Sequence, residues 1–177
     1  MTILEESNLR FLFNDDYEII SSNEEINIQK VKKYLQGTKD IDFLGFYSKN
    51  KVFFMEVKNF KNVMIEEINV LTNEVAHKLR DMVAIIAGAS RNTTNNIDFW
   101  KKLHQAIGNY QKEIIFIFWL EEDIQNNNPR AKNRMKIITD TLKQKCKWLT
   151  TKILVQSMKN NSLEGVKIEL IALQKLI

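Results

Sequence analysis

The chain has 177 residues, of which 44% are hydrophobic and 27% charged, with one proline and one cysteine. These values predict one folded domain with a sizeable core and exclude a disordered chain. The lone Cys146 excludes an intrachain disulfide and suits a reducing cytoplasm, and the longest apolar run, Met82–Ala89, is too short to cross a membrane. The net charge of +4 suits a polyanionic partner, although a basic protein without such a partner would carry the same charge.

The N-terminal segment Thr2–Phe13 is predicted to be a helix. Thr2 and Glu5 have the spacing of a capping box, and Glu5 would share a face with apolar residues one and two turns later. The start of the chain lacks a signal-peptide pattern. A short strand is predicted next, at Tyr17–Ser21.

Residues 22–37 allow two predictions. Ser22 and Glu25 could begin a helix that ends before Gly37, whereas the alternation of Ile26 and Ile28 favours a strand. Both remain open. The lysines of this region lead towards Asp42, where they could approach a phosphate backbone or simply form a solvated face; they are Lys30, Lys32, Lys33 and Lys39.

The segment Asp40–Lys58 predicts a β-hairpin, because two aromatic and β-branched runs flank the turn at residues 48–50. A two-residue turn would place Asp42 opposite Val57. A three-residue turn with Asn50 in the left-handed conformation would place Asp42 opposite Glu56. We favour the second register.

Burial is the reason for that choice. The second strand is apolar on both faces around Phe54, so its two faces are expected to be covered. Two carboxylates, Asp42 and Glu56, are costly in such a place unless they are paired or bind a cation. A hard ion such as Mg²⁺ prefers these oxygen ligands and keeps water in its other positions. An ordinary salt-bridge set with Lys58 is the alternative.

Asp42 followed thirteen residues later by Glu56-Val-Lys58 resembles the core motif of the PD-(D/E)XK nucleases, the restriction-endonuclease-like superfamily. One departure is that Ile41 stands where many members have proline. The resemblance implies an α/β fold with a central mixed sheet flanked by helices. It also implies Mg²⁺ or Mn²⁺ held by Asp42, Glu56 and the Val57 carbonyl, with Lys58 assisting the attacking water. An acidic residue of the first helix often joins the site in this superfamily. This makes Glu5 a candidate, with Glu6 as the second choice, unless Glu5 only caps its helix.

Thr72–Ser90 is the clearest predicted helix, with an apolar stripe at spacings of three and four. Glu74 and Lys78 could form an i,i+4 ion pair on its surface. If the helix packs on the sheet that carries Glu56, Lys78 could instead reach the site and a bound phosphate. The run Glu74–Asp81 is also similar to small uncharacterised bacterial proteins with an upstream Glu-x-Lys hairpin.

The C-terminal half adds further elements. Asp98–Tyr110 is predicted to be a helix, and Ile114–Leu120 a central buried strand. Arg130–Lys147 predicts a basic helix with Cys146 on its core face. Its cations either face nucleic acid or form a solvated rim; the candidates are Arg134, Lys143 and Lys145. The final strands are predicted at Lys152–Ser157 and Val166–Ile171.

Together, the motif and its resemblance predict metal-dependent hydrolysis of nucleic-acid phosphodiester bonds, with DNA as the first expectation. Loops of the protein, a second copy or another protein would then supply any sequence preference, because 177 residues leave no room for a separate specificity domain. The alternative is a non-catalytic module that keeps the fold to bind nucleic acid or a protein partner.

Overall fold

The structure, a computed structural model, describes residues 1–61, 67–122 and 129–171. Strands and helices are interspersed along the chain, as expected for a mixed α/β protein. In chain order they are β1 (Thr2–Glu6), β2 (Leu9–Phe13), β3 (Tyr17–Ser21), α1 (Ile26–Tyr34), β4 (Phe43–Tyr47), β5 (Lys51–Phe60), α2 (Ile68–Asn92), α3 (Ile97–Ile107), β6 (Glu113–Glu122), α4 (Pro129–Cys146), β7 (Ile153–Gln156) and β8 (Val166–Leu170).

A mixed sheet of five strands, in the order β3-β4-β5-β6-β7, forms the centre of the protein. The first three strands are antiparallel neighbours, whereas β6 runs parallel to β5 and β7 runs parallel to β6. Parallel neighbours need long crossovers, and α2 with α3 supplies the first of these connections. The predicted mixed sheet and its central strand at Ile114–Leu120 are therefore confirmed.

The two faces of this sheet are covered differently. Residues of α1, α2, α3 and α4 form one core with one face of the sheet, whereas a second sheet, in the order β1-β2-β8, covers the other. Successive side chains of a strand point to opposite faces. On β5, Phe54 packs with the helices and Met55 with the second sheet, so Glu56 and Lys58 belong to the helix-facing side.

The predicted N-terminal helix is wrong, because Thr2–Phe13 forms the antiparallel hairpin of β1 and β2. Ser7 and Asn8 make its turn, both with positive φ angles. Side chains at every second position of β2 are buried, and the Phe11 ring lies edge-on to Trp119 at 5.4 Å between centroids. Burial of this aromatic row against the large sheet favours the strand over the local helical pattern.

Most of the remaining elements lie where they were predicted. Residues 22–37 contain a 3-10 turn at Ser22–Glu24 and then α1, so the helical alternative is correct. The final strands β7 and β8 are present, but they lie in different sheets, since β8 pairs with β2. Cys146 is buried on the core face of α4. Within the described residues, no helix has both the length and the apolar character needed to cross a membrane.

Candidate functional site

The hairpin of β4 and β5 sets the geometry of the candidate site. Its ladder runs from Tyr47 opposite Lys51 to Phe43 opposite Met55, and the next step places Asp42 opposite Glu56. The turn therefore has three residues, as the register favoured from the sequence required. Its left-handed residues are Ser48 and Lys49 rather than Asn50, so that detail of the prediction is wrong.

Glu56 is fully buried on the helix-facing side of β5. Its Oε1 atom accepts a hydrogen bond from Lys78 Nζ at 2.7 Å, and Lys58 Nζ lies 3.5 Å from the same oxygen. The other oxygen, Oε2, is buried without a hydrogen-bond partner among the described residues. An unpartnered buried carboxylate oxygen is energetically costly, so this atom marks a place where a further donor or a cation would be favourable.

Both the motif lysine, Lys58, and the helix lysine, Lys78, approach Glu56, and Lys78 is the closer. Lys78 contacts Glu56 across the interface between α2 and the sheet, as the second of the two sequence alternatives required. Glu74, which was the alternative partner of Lys78, instead lies 3.5 Å from Lys58. The side chain of Lys78 is also the less exposed of the two lysines, at 15% against 28% for Lys58. Lys78 is therefore part of the carboxylate site itself.

Asp42 lies where strand β4 begins, and its Oδ2 atom accepts a hydrogen bond from the Val57 N–H at 2.7 Å. Burial raises the pKa of Asp42 to about 6, and the negative charge of Glu6 adds to this rise. The Val57 hydrogen bond and the charges of Lys78 and Lys58 oppose it. The carboxyl group therefore changes its charge near neutral pH rather than in acid.

Burial, and then the charge of Asp42, raise the pKa of Glu56 to about 8, although Lys78 and Lys58 act in the opposite direction. The carboxylates in turn raise the pKa of Lys78 against the effect of its own burial. Two carboxyl groups and two ammonium groups thus share one poorly solvated place. Perturbed pKa values from burial and specific charge partners are typical of functional sites, although structural ion pairs produce them too.

Glu5 was predicted to reach the metal site from an N-terminal helix, but this segment forms β1 and β2 instead. Glu5 is exposed on β1 and pairs with Arg10 of β2, at 2.7 Å. Its neighbour Glu6 points to the opposite face of the strand and is the one whose charge acts on Asp42. Asn59, just after the motif, donates a hydrogen bond to the Ser7 carbonyl at 2.9 Å. The turn of the first hairpin thus lies beside the site.

The signal for this arrangement was present in the sequence. Leu9, Phe11 and Phe13 alternate with other residues, which is the two-residue period of a strand. Asn8 just before them tolerates the left-handed conformation of a tight turn. Reading the segment as a hairpin would have placed Glu5 and Glu6 on opposite faces and favoured one over the other.

Asp42 and Glu56 provide part of the set of oxygen ligands that a hard divalent cation needs. Asp42 and Glu56 face each other, and Glu56 Oε2 is free of hydrogen bonds within the described chain. No group of three or more His, Cys, Asp or Glu side chains in that part of the protein is arranged to hold a metal ion. A cation here would take two carboxylates and complete its coordination with the Val57 carbonyl and water, which is acceptable for Mg²⁺.

Two of the three cations proposed on α4 bind other residues of the protein. Arg134 lies 3.1 Å from Glu122, and Lys145 donates a hydrogen bond to Asn73 of α2. Lys143 is exposed. Of the three candidate cations, Lys143 is therefore exposed to solvent, whereas Lys145 binds Asn73 and Arg134 is engaged with Glu122.

Comparison of the chain with protein-family models, with curated proteins and with solved structures gives no match. The assignment of a function therefore depends on the motif and on the geometry of the cluster that it forms, which consists of Asp42, Glu56, Lys58 and Lys78.

Proposed function

We propose that this protein hydrolyses phosphodiester bonds of nucleic acid with the help of a divalent cation, Mg²⁺ or Mn²⁺, at the cluster of Asp42, Glu56, Lys58 and Lys78. The observation that carries the proposal is the fully buried Glu56 opposite Asp42, with one carboxylate oxygen left without a partner. A buried carboxylate pair is unfavourable as a structural element, because like charges directly opposite one another destabilise a sheet.

The four residues suit this reaction by their chemistry. Asp42 and Glu56, with the carbonyl of Val57, would hold the cation, which when bound polarises a phosphate and lowers the pKa of a water molecule. Lys58 is partly exposed beside Glu56, so its ammonium group can orient the attacking water or offset charge on the phosphate. Hydrolysis forms a bond from the water oxygen to phosphorus and breaks one ester bond to a sugar oxygen, which leaves with a proton.

Fold and motif support the same proposal. A hairpin that carries Asp and Glu-x-Lys, followed by a crossover helix and a parallel strand, is the arrangement that the resemblance to PD-(D/E)XK nucleases implies. The chain departs from that expectation where β1 and β2 replace the first helix. The four helices of the described residues pack on one face of the sheet, and a second sheet covers the other.

A second function is favoured by one contact. Lys78 lies 2.7 Å from Glu56, so the charge of this carboxylate is balanced without a metal ion. A non-catalytic module that binds nucleic acid or a protein partner would need no cation beyond Lys78 to balance this charge. The two functions differ in whether a divalent cation binds and whether a phosphodiester bond is cleaved.

The test is incubation of the purified protein with labelled single- and double-stranded DNA and RNA in Mg²⁺, Mn²⁺ or EDTA. We expect cleavage with metal only, and its loss in Lys58→Ala, because this lysine acts on the transition state rather than on substrate binding. Lys101→Ala, which changes an exposed lysine of α3, is the matched control and should cleave like the wild type. Equal rates for wild type and folded Lys58→Ala would reject the enzyme and favour the binding module.

A further inference from the structure

Glu74 of α2 lies beside both lysines of the site, and the proposed function gives it no role. Its Oε1 atom is 3.5 Å from Lys58 Nζ of β5. Glu74 also stands four residues before Lys78 on the same helix. This spacing, with the acidic residue first, is the favourable one for an ion pair on a helix surface. Glu74 can therefore serve as the partner of either lysine.

Lys78 has two carboxylates within its reach. Its Nζ atom is 2.7 Å from Glu56 Oε1, and Glu74 is about one helical turn away. Burial lowers the pKa of Lys78, but the charges of Glu56, Asp42 and Glu74 more than offset this effect, so the pKa is raised overall. The charge of Glu74 thus already acts on Lys78, although the hydrogen bond of this lysine is to Glu56. The two contacts that the sequence allows for Lys78 are therefore open to the same side chain.

The two possible partners of Lys78 differ in their surroundings. Glu56 is fully buried, whereas the Glu74 side chain is 36% exposed. The long stem of Lys78 runs from the helix towards the buried carboxylate. Residues four apart are neighbours on a helix surface, so rotations within this stem would bring the ammonium group to Glu74 without moving the backbone.

The charge of the cluster gives a reason for such a movement. When all are ionised, its three carboxylates and two ammonium groups leave one net negative charge; the members are Asp42, Glu56, Glu74, Lys58 and Lys78. A divalent cation at Asp42 and Glu56 would make the sum positive. It would also lie a few ångströms from the Lys78 ammonium group, and like charges at that distance repel each other strongly where water is scarce. Lys78 and the cation therefore compete for Glu56.

We propose that Glu74 is a positioning residue of the cation site, which receives the ammonium group of Lys78 when a divalent cation occupies Glu56. In the metal-free protein, Lys78 stays on Glu56 and balances its charge. In the cation-bound protein, Lys78 pairs with Glu74, so that Lys58 loses this contact and becomes available to the substrate. The inference rests on the proposed function for its cation, but it concerns cation binding and does not require cleavage.

The direct test compares crystal structures of the wild type obtained in EDTA and in Mg²⁺, both without nucleic acid. In EDTA we expect Lys78 Nζ within hydrogen-bond distance of Glu56. In Mg²⁺ we expect the same atom within hydrogen-bond distance of Glu74 and away from Glu56. A structure with Mg²⁺ at Asp42 and Glu56 in which Lys78 still binds Glu56 would overturn the inference.

Calorimetric titration with Mg²⁺, again without nucleic acid, measures the same exchange in solution. Glu74→Gln should weaken Mg²⁺ binding about two- to fivefold, which is the range expected for the loss of a partly exposed ion pair. Glu67→Gln is the matched control, because it removes an exposed carboxylate that caps no backbone group at the start of the same helix. The control should bind Mg²⁺ like the wild type.

A double-mutant cycle with Lys78→Gln separates the exchange from the simple loss of a negative charge near the cation. Where Lys78 is already replaced, Glu74 has no ammonium group to receive, so Glu74→Gln should cost less affinity than it does in the wild type. Equal losses in the two backgrounds would overturn the inference. The crystallographic comparison uses the wild type alone and decides the matter if Lys78→Gln does not fold.

These results can be distinguished from those of the cleavage assay. A wild type that binds neither Mg²⁺ nor Mn²⁺ would overturn the inference together with the cation of the proposed function. A wild type that binds the cation while Lys78 remains on Glu56 loses only this inference. A wild type that shows the exchange but cleaves no nucleic acid loses only the proposed hydrolysis.

Discussion

Lys78 of helix α2 approaches Glu56 more closely than the motif lysine does: its Nζ atom lies 2.7 Å from Glu56 Oε1, whereas Lys58 lies 3.5 Å from the same oxygen. The closer lysine comes from another element and is less exposed. The two lysines are therefore expected to differ in role, with Lys78 offsetting the buried charge and Lys58 available to a substrate.

Stability measurements should separate these roles. At pH 9, where Glu56 is mostly ionised, Lys78→Gln should lower the free energy of unfolding by about 3 kcal/mol, because it removes the closer ammonium group from a buried carboxylate. Lys58→Gln should cost less than about 1 kcal/mol, as expected for a partly exposed pair. Urea denaturation provides the measurement. Adding Glu56→Gln to Lys78→Gln should recover part of the loss, and similar values for the two single variants would contradict the distinction.

The pH dependence of stability follows from the raised pKa values. Asp42 and Glu56 have ordinary pKa values of 3.8 and 4.5, which rise to about 6 and about 8 in the folded protein. Between these limits the folded state holds protons that the unfolded state has released, so stability should fall as the pH rises from about 5 to 8. Urea denaturation at three pH values would measure this slope.

Asp42→Asn is the control for the pH experiment, because it removes one of the two titrating groups and should flatten the slope below about pH 6.5. Activity should change in the opposite direction. A cation needs ionised carboxylates, so metal-dependent cleavage should increase over the same pH range in which the metal-free protein becomes less stable.

Metal binding can be tested without a substrate. Mg²⁺ or Mn²⁺ should raise the melting temperature of the wild type, with a gain of about 2.7 kcal/mol at a hundredfold excess over the dissociation constant. Glu56→Gln should lose most of that gain, since one ligand no longer carries charge. Glu5→Gln is the matched control and should keep it, because Glu5 lies exposed on β1. A wild type that shows no shift with either metal would favour the non-catalytic module.

The cations of α4 allow a graded prediction. Lys143→Gln should reduce the slope of the logarithm of nucleic-acid affinity against the logarithm of salt concentration by about one unit, if this exposed lysine contacts a phosphate. Arg134→Gln should change the slope less but destabilise the fold, because Arg134 is paired with Glu122. Salt titrations of binding and thermal melts of the two proteins would distinguish these effects. Identical salt slopes for wild type and Lys143→Gln would indicate that Lys143 faces solvent and does not contact nucleic acid.

Local pattern was enough to predict the hairpin that carries the motif. Two aromatic and β-branched runs around a short polar turn specify both strands. They left two registers open, and the expected burial of the second strand favoured the three-residue turn that places Asp42 opposite Glu56. The long helix α2 and the central strand β6 were predicted for similar reasons, since each has a strong period or a continuous apolar run.

What could not be predicted depends on contacts that are distant in the sequence. The segment Thr2–Phe13 satisfies a helical and a strand pattern, and its conformation is decided by burial of β2 against the large sheet and by pairing with β8. The contact of Lys78 with Glu56 depends on how α2 crosses the sheet, so the sequence could offer it only as one of two alternatives.

The pairing of β2 with β8 also affects how the protein is made. Residues 9–13 find their partner only when residues 166–170 have left the ribosome, so the second sheet cannot be completed before that point. Until then β2 presents an open edge and an aromatic face with one neighbour, β1, which is a site for association between nascent chains. The turn beside Asp42 belongs to that unfinished sheet. A ribosome-bound chain that ends before residue 166 should therefore remain sensitive to protease at its N-terminal hairpin, even after the helices have packed.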